Sequence, residues 1–165
     1  MRHWFLEGSD VSFPDIRTLV PHADPMVLLD RVVSFENENL CAEVTIRPDS
    51  MFCAADGVGA WVGIEYMAQA IAAHAGYEQQ LHGLPIKIGF LLGSRRYDVN
   101  CSTFPIGTVL HVYVHRVLLS ENGLGSYECR IENKDHDDRN PLATATVTVF
   151  QPANIDSFLQ GNMNE

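Results

Sequence analysis

The stretch Trp61-Val62-Gly63-Ile64-Glu65-Tyr66-Met67-Ala68-Gln69-Ala70-Ile71-Ala72-Ala73-His74-Ala75 decides the fold. It is apolar nearly all round, which predicts a helix buried on every side and closing near Gly76. Glu65 is its one acid, and Gln69 follows a helical turn later on the same face. A carboxyl group inside an apolar element is costly unless it is neutralised, paired or hydrogen-bonded. Proteins that keep one there commonly use it as an acid or a base, so Glu65 is the first candidate for chemistry. The competing reading is a helix-edge glutamate reaching water.

Strand patterns surround this helix. Residues 26–35 are rich in Val and Leu and read as a strand, Glu36-Asn37-Glu38-Asn39 as a polar turn, and residues 40–46 as an alternating, half-buried strand. Those two should form a hairpin. Residues 48–59 read as the loop into the helix, and a short helical turn opened by Pro14 is expected within residues 14–20. Further strands are predicted at 86–92, 108–119, 125–133 and 142–151. Ser120-Glu121-Asn122-Gly123 carries the Asn-Gly signal of a tight antiparallel turn, residues 135–140 read as a polar loop, and the segment after Pro152 as solvated. Leu110, Val112 and Val114 face one way and His111, Tyr113 and His115 the other; Ala143, Ala145, Val147 and Val149 alternate with Thr144, Thr146 and Thr148. One long helix among antiparallel strands gives an α+β class, a curved sheet wrapped around a central helix.

The 165 residues suffice for one domain with a core over about residues 19–150. A net charge of −10 argues against nucleic acid and anionic lipid as partners. Cys41, Cys53, Cys101 and Cys129 are widely spaced without a C-x-x-C pair, so reduced thiols are expected. Met1-Arg2-His3-Trp4-Phe5-Leu6-Glu7 lacks the apolar core of a secretory leader, and the helix is too short and punctuated to span a bilayer. A soluble cytoplasmic protein without membrane attachment follows. No ligand cluster or nucleotide-binding glycine pattern appears, so neither a metal nor an organic cofactor is expected.

Leu19-Val20-Pro21-His22-Ala23-Asp24-Pro25-Met26-Val27-Leu28-Leu29-Asp30-Arg31-Val32 resembles the opening of the β-hydroxyacyl-ACP dehydratases, a hotdog-fold family with the pattern L-P-H-x-x-P-x-L-L-x-D-R-V. Gly63-Ile64-Glu65-Tyr66-Met67-Ala68-Gln69-Ala70 is similar to its helix motif E-A-M-A-Q-A, and Phe104-Pro105-Ile106-Gly107-Thr108 to its later P-x-G strand entry. Together with Phe90-Leu91-Leu92-Gly93-Ser94-Arg95, these motifs resemble most the dehydratase-like hotdog proteins of aryl-polyene pigment clusters. The resemblance implies a dimer that removes water from a 3-hydroxyacyl thioester on acyl carrier protein. A base must take the Cα proton and an acid must protonate the departing hydroxyl; in the family a His and a Glu or Asp do so, from different subunits. Glu65 matches the family acid and Gln69 the glutamine that supports it. Arg95 and Arg96 stand where the family often places basic residues for the acidic carrier. Gly57 and Gly59 permit close backbone approach, so a thioester carbonyl is expected at the helix start.

The family histidine has no counterpart. It stands in G-H-F-P, fourteen positions before the acid, and that position here is Met51. A thioether is only a weak acceptor. Three accounts follow. A second hotdog chain supplies the histidine, making a heterodimer rather than a homodimer; His22 has taken over; or the chain is a thioesterase or a non-catalytic acyl-binding partner, since a fold does not fix a function. Among other histidines, His111 and His115 read as solvated sheet residues and His74 as pointing away from Glu65. Trp61 and Tyr66 read first as core, with Trp61 or Phe52 placed to stack on a flat acyl group. Cys53 reads as inert and Asp30-Arg31 as an ordinary ion pair.

Overall fold

The computed structural model describes residues 11–136 and 140–161. Its elements are β1 (Arg31–Glu36), β2 (Asn39–Thr45), β3 (Gly57–Gly59), α1 (Gly63–Leu81), β4 (Phe90–Val99), β5 (Thr103–Pro105), β6 (Val109–Leu119), β7 (Leu124–Asn133), β8 (Ala143–Phe150) and α2 (Ile155–Gly161). The expectations for residues 1–7 and His3, and for the middle of the 135–140 loop, fall outside the described residues.

Six strands form one antiparallel sheet in the order β1-β2-β6-β7-β8-β4, while β3 and β5 make a separate small pair. The alternation read from the sequence sets its buried face. Leu40, Ala42 and Val44 align with Val114, Val112 and Leu110, and the row continues through Cys129 and Ile131 to Ala145 and Ala143. All are buried in one cluster with Met67, Ala70, Ile71 and Ala73 of α1. The sheet therefore wraps the helix, the hotdog architecture. β4 forms one rim and carries register shifts between Leu91 and Gly93 and between Arg95 and Asp98.

Several boundaries differ from the sequence reading, each for a local reason. The helix starts two residues later, after a 3-10 turn at Ala60–Val62, and runs on to Leu81. Gly76 does not stop it; a Cβ there would lie 1.9 Å from the Leu19 carbonyl oxygen, so the glycine admits the crossing backbone. The helix is not buried all round either, because Ile64, Glu65, Ala68, Ala72 and Ala75 form a half-buried stripe. Residues 26–30 are not strand; Met26 O and Leu28 N–H bond the Gln69 side chain instead of a ladder, and β1 begins only at Arg31. Residues 86–89 are likewise held by side chains, with Lys87 N–H on Gln79 and Lys87 O on Gln151, so β4 begins only at Phe90. The segment after Pro152 is not simply solvated: Phe158 of α2 packs on Phe90 and Phe150. Asp30 and Arg31 do not pair with each other; Arg31 takes Glu43 and Asp30 takes Arg47.

Two buried polar residues beneath the far end of α1 carry a pH dependence. Arg116, its side chain 9% exposed, pairs with both Glu38 and Glu78, and its hydrogen bonds hold both carboxyls below the usual range. His74 is fully buried, with Nε2 2.7 Å from Asn37 O and Nδ1 3.4 Å from the Tyr127 hydroxyl. Both contacts fit a neutral ring with Nε2–H as donor and Nδ1 as acceptor. Burial pushes the His74 pKa below its ordinary 6.5. Below that value the unfolded chain binds a proton that the folded one refuses, so stability falls as pH drops. Melting temperature should therefore decline from pH 6.5 downward, as the unfolding free energy falls by up to about 1.4 kcal/mol per pH unit from this residue. The Arg116 carboxyls add a further loss below their ordinary 4.5. A flat melting curve between pH 7.5 and 5 would show that His74 is free to charge in place.

Candidate active site

The start of α1 is shaped by backbone crossing backbone. A Cβ on Gly57 would sit 2.0 Å from the Phe104 carbonyl oxygen, so β3 can meet β5 only with glycine there. Ala60 is tied on both sides: its N–H donates to Ser102 O at 3.0 Å, and its carbonyl accepts from the Tyr97 hydroxyl. Gly63 leaves room for that same hydroxyl. Burial pushes the Tyr97 pKa up to about 12, so it remains a donor. No side chain caps the 3-10 turn at Gly59 or the helix at Val62. Ala60 N–H and Gly63 N–H are taken by Ser102 O and Ala60 O, and the first-turn N–H groups that remain without a cap suit a carbonyl oxygen or an anion.

Trp61, which the sequence places in the core, is 66% exposed. It lies over Gly59, where a Cβ would come within 2.4 Å of its indole nitrogen, and meets Phe52 edge-on at 5.6 Å. Its ring thus covers the outside of the turn instead of entering the sheet. Phe52 is itself 44% exposed and holds a φ of +64°. Met51 is half-buried beside it, and Cys53 bridges to Val58. Tyr66, by contrast, is buried against Phe104.

One turn into α1, three of the predicted residues come together. Gln69 is fully buried and uses its whole amide: Nε2 donates to Met26 O at 2.7 Å and to Glu65 Oε1 at 3.0 Å, while Oε1 accepts from Leu28 N–H at 2.9 Å. His22 Nε2 lies 3.6 Å from the same Glu65 oxygen, with the two side chains 31% and 33% exposed. Glu65 is thus clamped on one oxygen and open to solvent on one side. Sequence reasoning paired Glu65 with Gln69 but missed that the same glutamine also fastens residues 26–28, and it gave no signal for Tyr97.

The remaining histidines are placed elsewhere. His111 is not solvated: its side chain is 14% exposed and 2.9 Å from Glu43, which also holds Arg31 and Lys134. Burial pushes the Glu43 carboxyl up, but the bonds from His111 and Arg31 outweigh it and hold it below the usual range. His115 is exposed on Asn39, and His74 lies in the distant cluster beneath the helix end. Arg95 and Arg96 are exposed and lie inside β4 rather than at its end, next in sequence to Tyr97.

Comparison with known proteins agrees with this fold. The ApeP-like family, described as ApeP dehydratase, matches residues 14–160. Among solved structures, the dehydratase heterocomplex ApeI:P from Xenorhabdus doucetiae superposes with a TM-score of 0.83 at 28% identity, covering 93% of this chain and 100% of that one. A hypothetical thioesterase with coenzyme A from Streptococcus pneumoniae TIGR4 gives 0.56 at 12% identity, over 73% of this chain and 84% of that one. The E. coli PaaI protein from the phenylacetic acid degradation operon gives 0.54 at 12%, over 72% and 80%. The last two share the fold alone. No curated protein sequence matches the chain. The hotdog sheet, the helix motif around Glu65 and a match from residue 14 to residue 160 agree, and the chain belongs to the ApeP-like dehydratases, the dehydratase-like hotdog proteins of aryl-polyene synthesis.

Proposed function

We propose that this chain supplies the acid half of a hydro-lyase site acting on 3-hydroxyacyl thioesters carried by acyl carrier protein, and that a hotdog partner supplies the base. The observation that carries the reading is Glu65, clamped by buried Gln69 and open on one side. Glu65 protonates the C3 hydroxyl as it leaves, and a partner histidine takes the Cα proton, both within hydrogen-bond reach of the substrate. The uncapped helix start beside Gly57 and Gly59 receives the thioester carbonyl, whose charge grows as the Cα proton departs. Met51 in the family's histidine position supports a partner-derived base, as does likeness to a chain of a dehydratase heterocomplex. Exposed Phe52 and Trp61 offer flat surfaces to an acyl group, and Arg95 and Arg96 offer positive charge to an acidic carrier on a chain of net charge −10.

The test mixes the chain with a hotdog partner that has an intact G-H-F-P motif and follows water loss from 3-hydroxyacyl carrier protein. The pair should turn over and the isolated chain should not. Equal rates would show that no partner base is needed, and thioester hydrolysis in place of dehydration would assign the site to a hydrolase. Among the described residues, no helix is long and apolar enough to cross a membrane.

A further inference from the structure

We propose that His22 acts through Glu65, handing it a proton between turnovers. The inference rests on Glu65 being the acid. Each dehydration uses one proton from that carboxyl. It passes to the C3 hydroxyl oxygen, the C3–O bond breaks and water leaves. The Cα proton goes to the base, and the electron pair it leaves becomes the new C2–C3 double bond. Glu65 is then a carboxylate and the base is protonated. The base loses its proton to solvent, but Glu65 must regain one before it can act again.

The geometry around Glu65 points to His22 as the donor. Its Nε2 lies 3.6 Å from Glu65 Oε1, slightly beyond hydrogen-bond length, so a small side-chain movement closes the gap. His22 Nδ1 is buried without a partner, so Nε2 is the ring nitrogen left to exchange a proton both with Glu65 and with solvent at this partly exposed side chain. Protonated at Nε2, the ring passes that proton to the carboxylate and takes another from solvent.

The approach is built into the fold. Gln69 holds Glu65 with one hydrogen and Met26 O with the other, while its oxygen takes Leu28 N–H. One buried side chain therefore fixes both the acid and the segment that follows His22. A turn with Met26 N–H on Ala23 O, and the Arg17–Asp24 pair at 2.9 Å, hold the intervening residues. Both Gln69 N–H groups are used in these bonds, and the amide has no ionisable proton to give. Among the described side chains, His22 is the titratable group paired with Glu65.

The experiment compares single-turnover and steady-state dehydration by the mixed dimer, with wild-type chain and with His22→Ala. With enzyme in excess, one turnover does not require a proton to be returned to Glu65, so the single-turnover rate should stay within about twofold. Steady-state turnover should fall at least ~10-fold, because proton transfer by a positioned group is worth 10²–10⁴. Added imidazole should restore much of the loss in His22→Ala, and His22→Gln should remain slow. An unchanged steady-state rate overturns the proposal. So does an equal loss in both regimes without imidazole rescue, which would assign His22 to packing or to the chemical step. The underlying reading fails separately: Glu65→Gln would then leave the single-turnover rate intact.

Discussion

Replacing Glu65 with Gln should abolish most of the dehydratase activity of the mixed dimer while leaving its assembly intact. The two side chains have the same shape, and Gln can still accept the Gln69 amide proton that Glu65 accepts at 3.0 Å. Under the proposed mechanism, what it loses is the ability to deliver a proton to the leaving hydroxyl. Without that delivery, C–O cleavage expels hydroxide rather than water. A positioned acid contributes about 10²–10⁴ in rate, so kcat should fall by roughly a thousandfold with KM changed only a few-fold. Stability should barely move, because Glu65 is a third exposed and half its bonding is preserved. A rate within threefold of wild type in an intact dimer would remove Glu65 from the chemistry and leave only the fold.

The second large effect belongs to Gln69. Its substitution by Ala removes a fully buried amide and leaves the partly buried Leu28 N–H and Met26 carbonyl without their partner, along with the hydrogen bond on Glu65. Each buried group left unpaired costs about 1–3 kcal/mol, so a loss of about 3 kcal/mol is expected. For a chain of this size that lowers the melting temperature by about 10 °C. Activity should fall as well, measured below the new transition, because both Glu65 and the His22 segment lose the group that aligns them. A Gln69→Ala protein as stable as wild type would mean that residues 26–28 are held by something other than this amide. Gln69→Glu is the sharper variant for the site: it presents a second carboxylate to Met26 O and to Glu65 and should be the worse of the two.

The hairpin at Glu36-Asn39, the alternation on β6 and β8 and the Asn-Gly turn were all legible, because a period of two and a turn dipeptide are local signals. The resemblance of the motifs supplied the hotdog arrangement and directed attention to Glu65. The misread positions are those where a side chain meets backbone far away in sequence. Met26 and Leu28 look like strand residues, but their polar groups are taken by a glutamine 43 and 41 residues later. Gly76 looks like a helix stop, yet it is a point of backbone contact with Leu19. Trp61 looks like core because its neighbours are apolar, and only the turn before α1 puts it outside. His22 could be named from the motif, but its distance from Glu65 depends on how residues 22–28 fold over the helix, which no local pattern encodes.

The rim strand β4 has a consequence for the protein at high concentration. A bare ladder edge invites identical copies to add on, the route to fibrils. Here the edge is interrupted at two places within Phe90–Val99, so no long straight run is offered as a template. Arg95 and Arg96, side by side and exposed, would repel their counterparts on any identical strand laid in register. Along this rim, these irregularities work against the chain stacking indefinitely on itself.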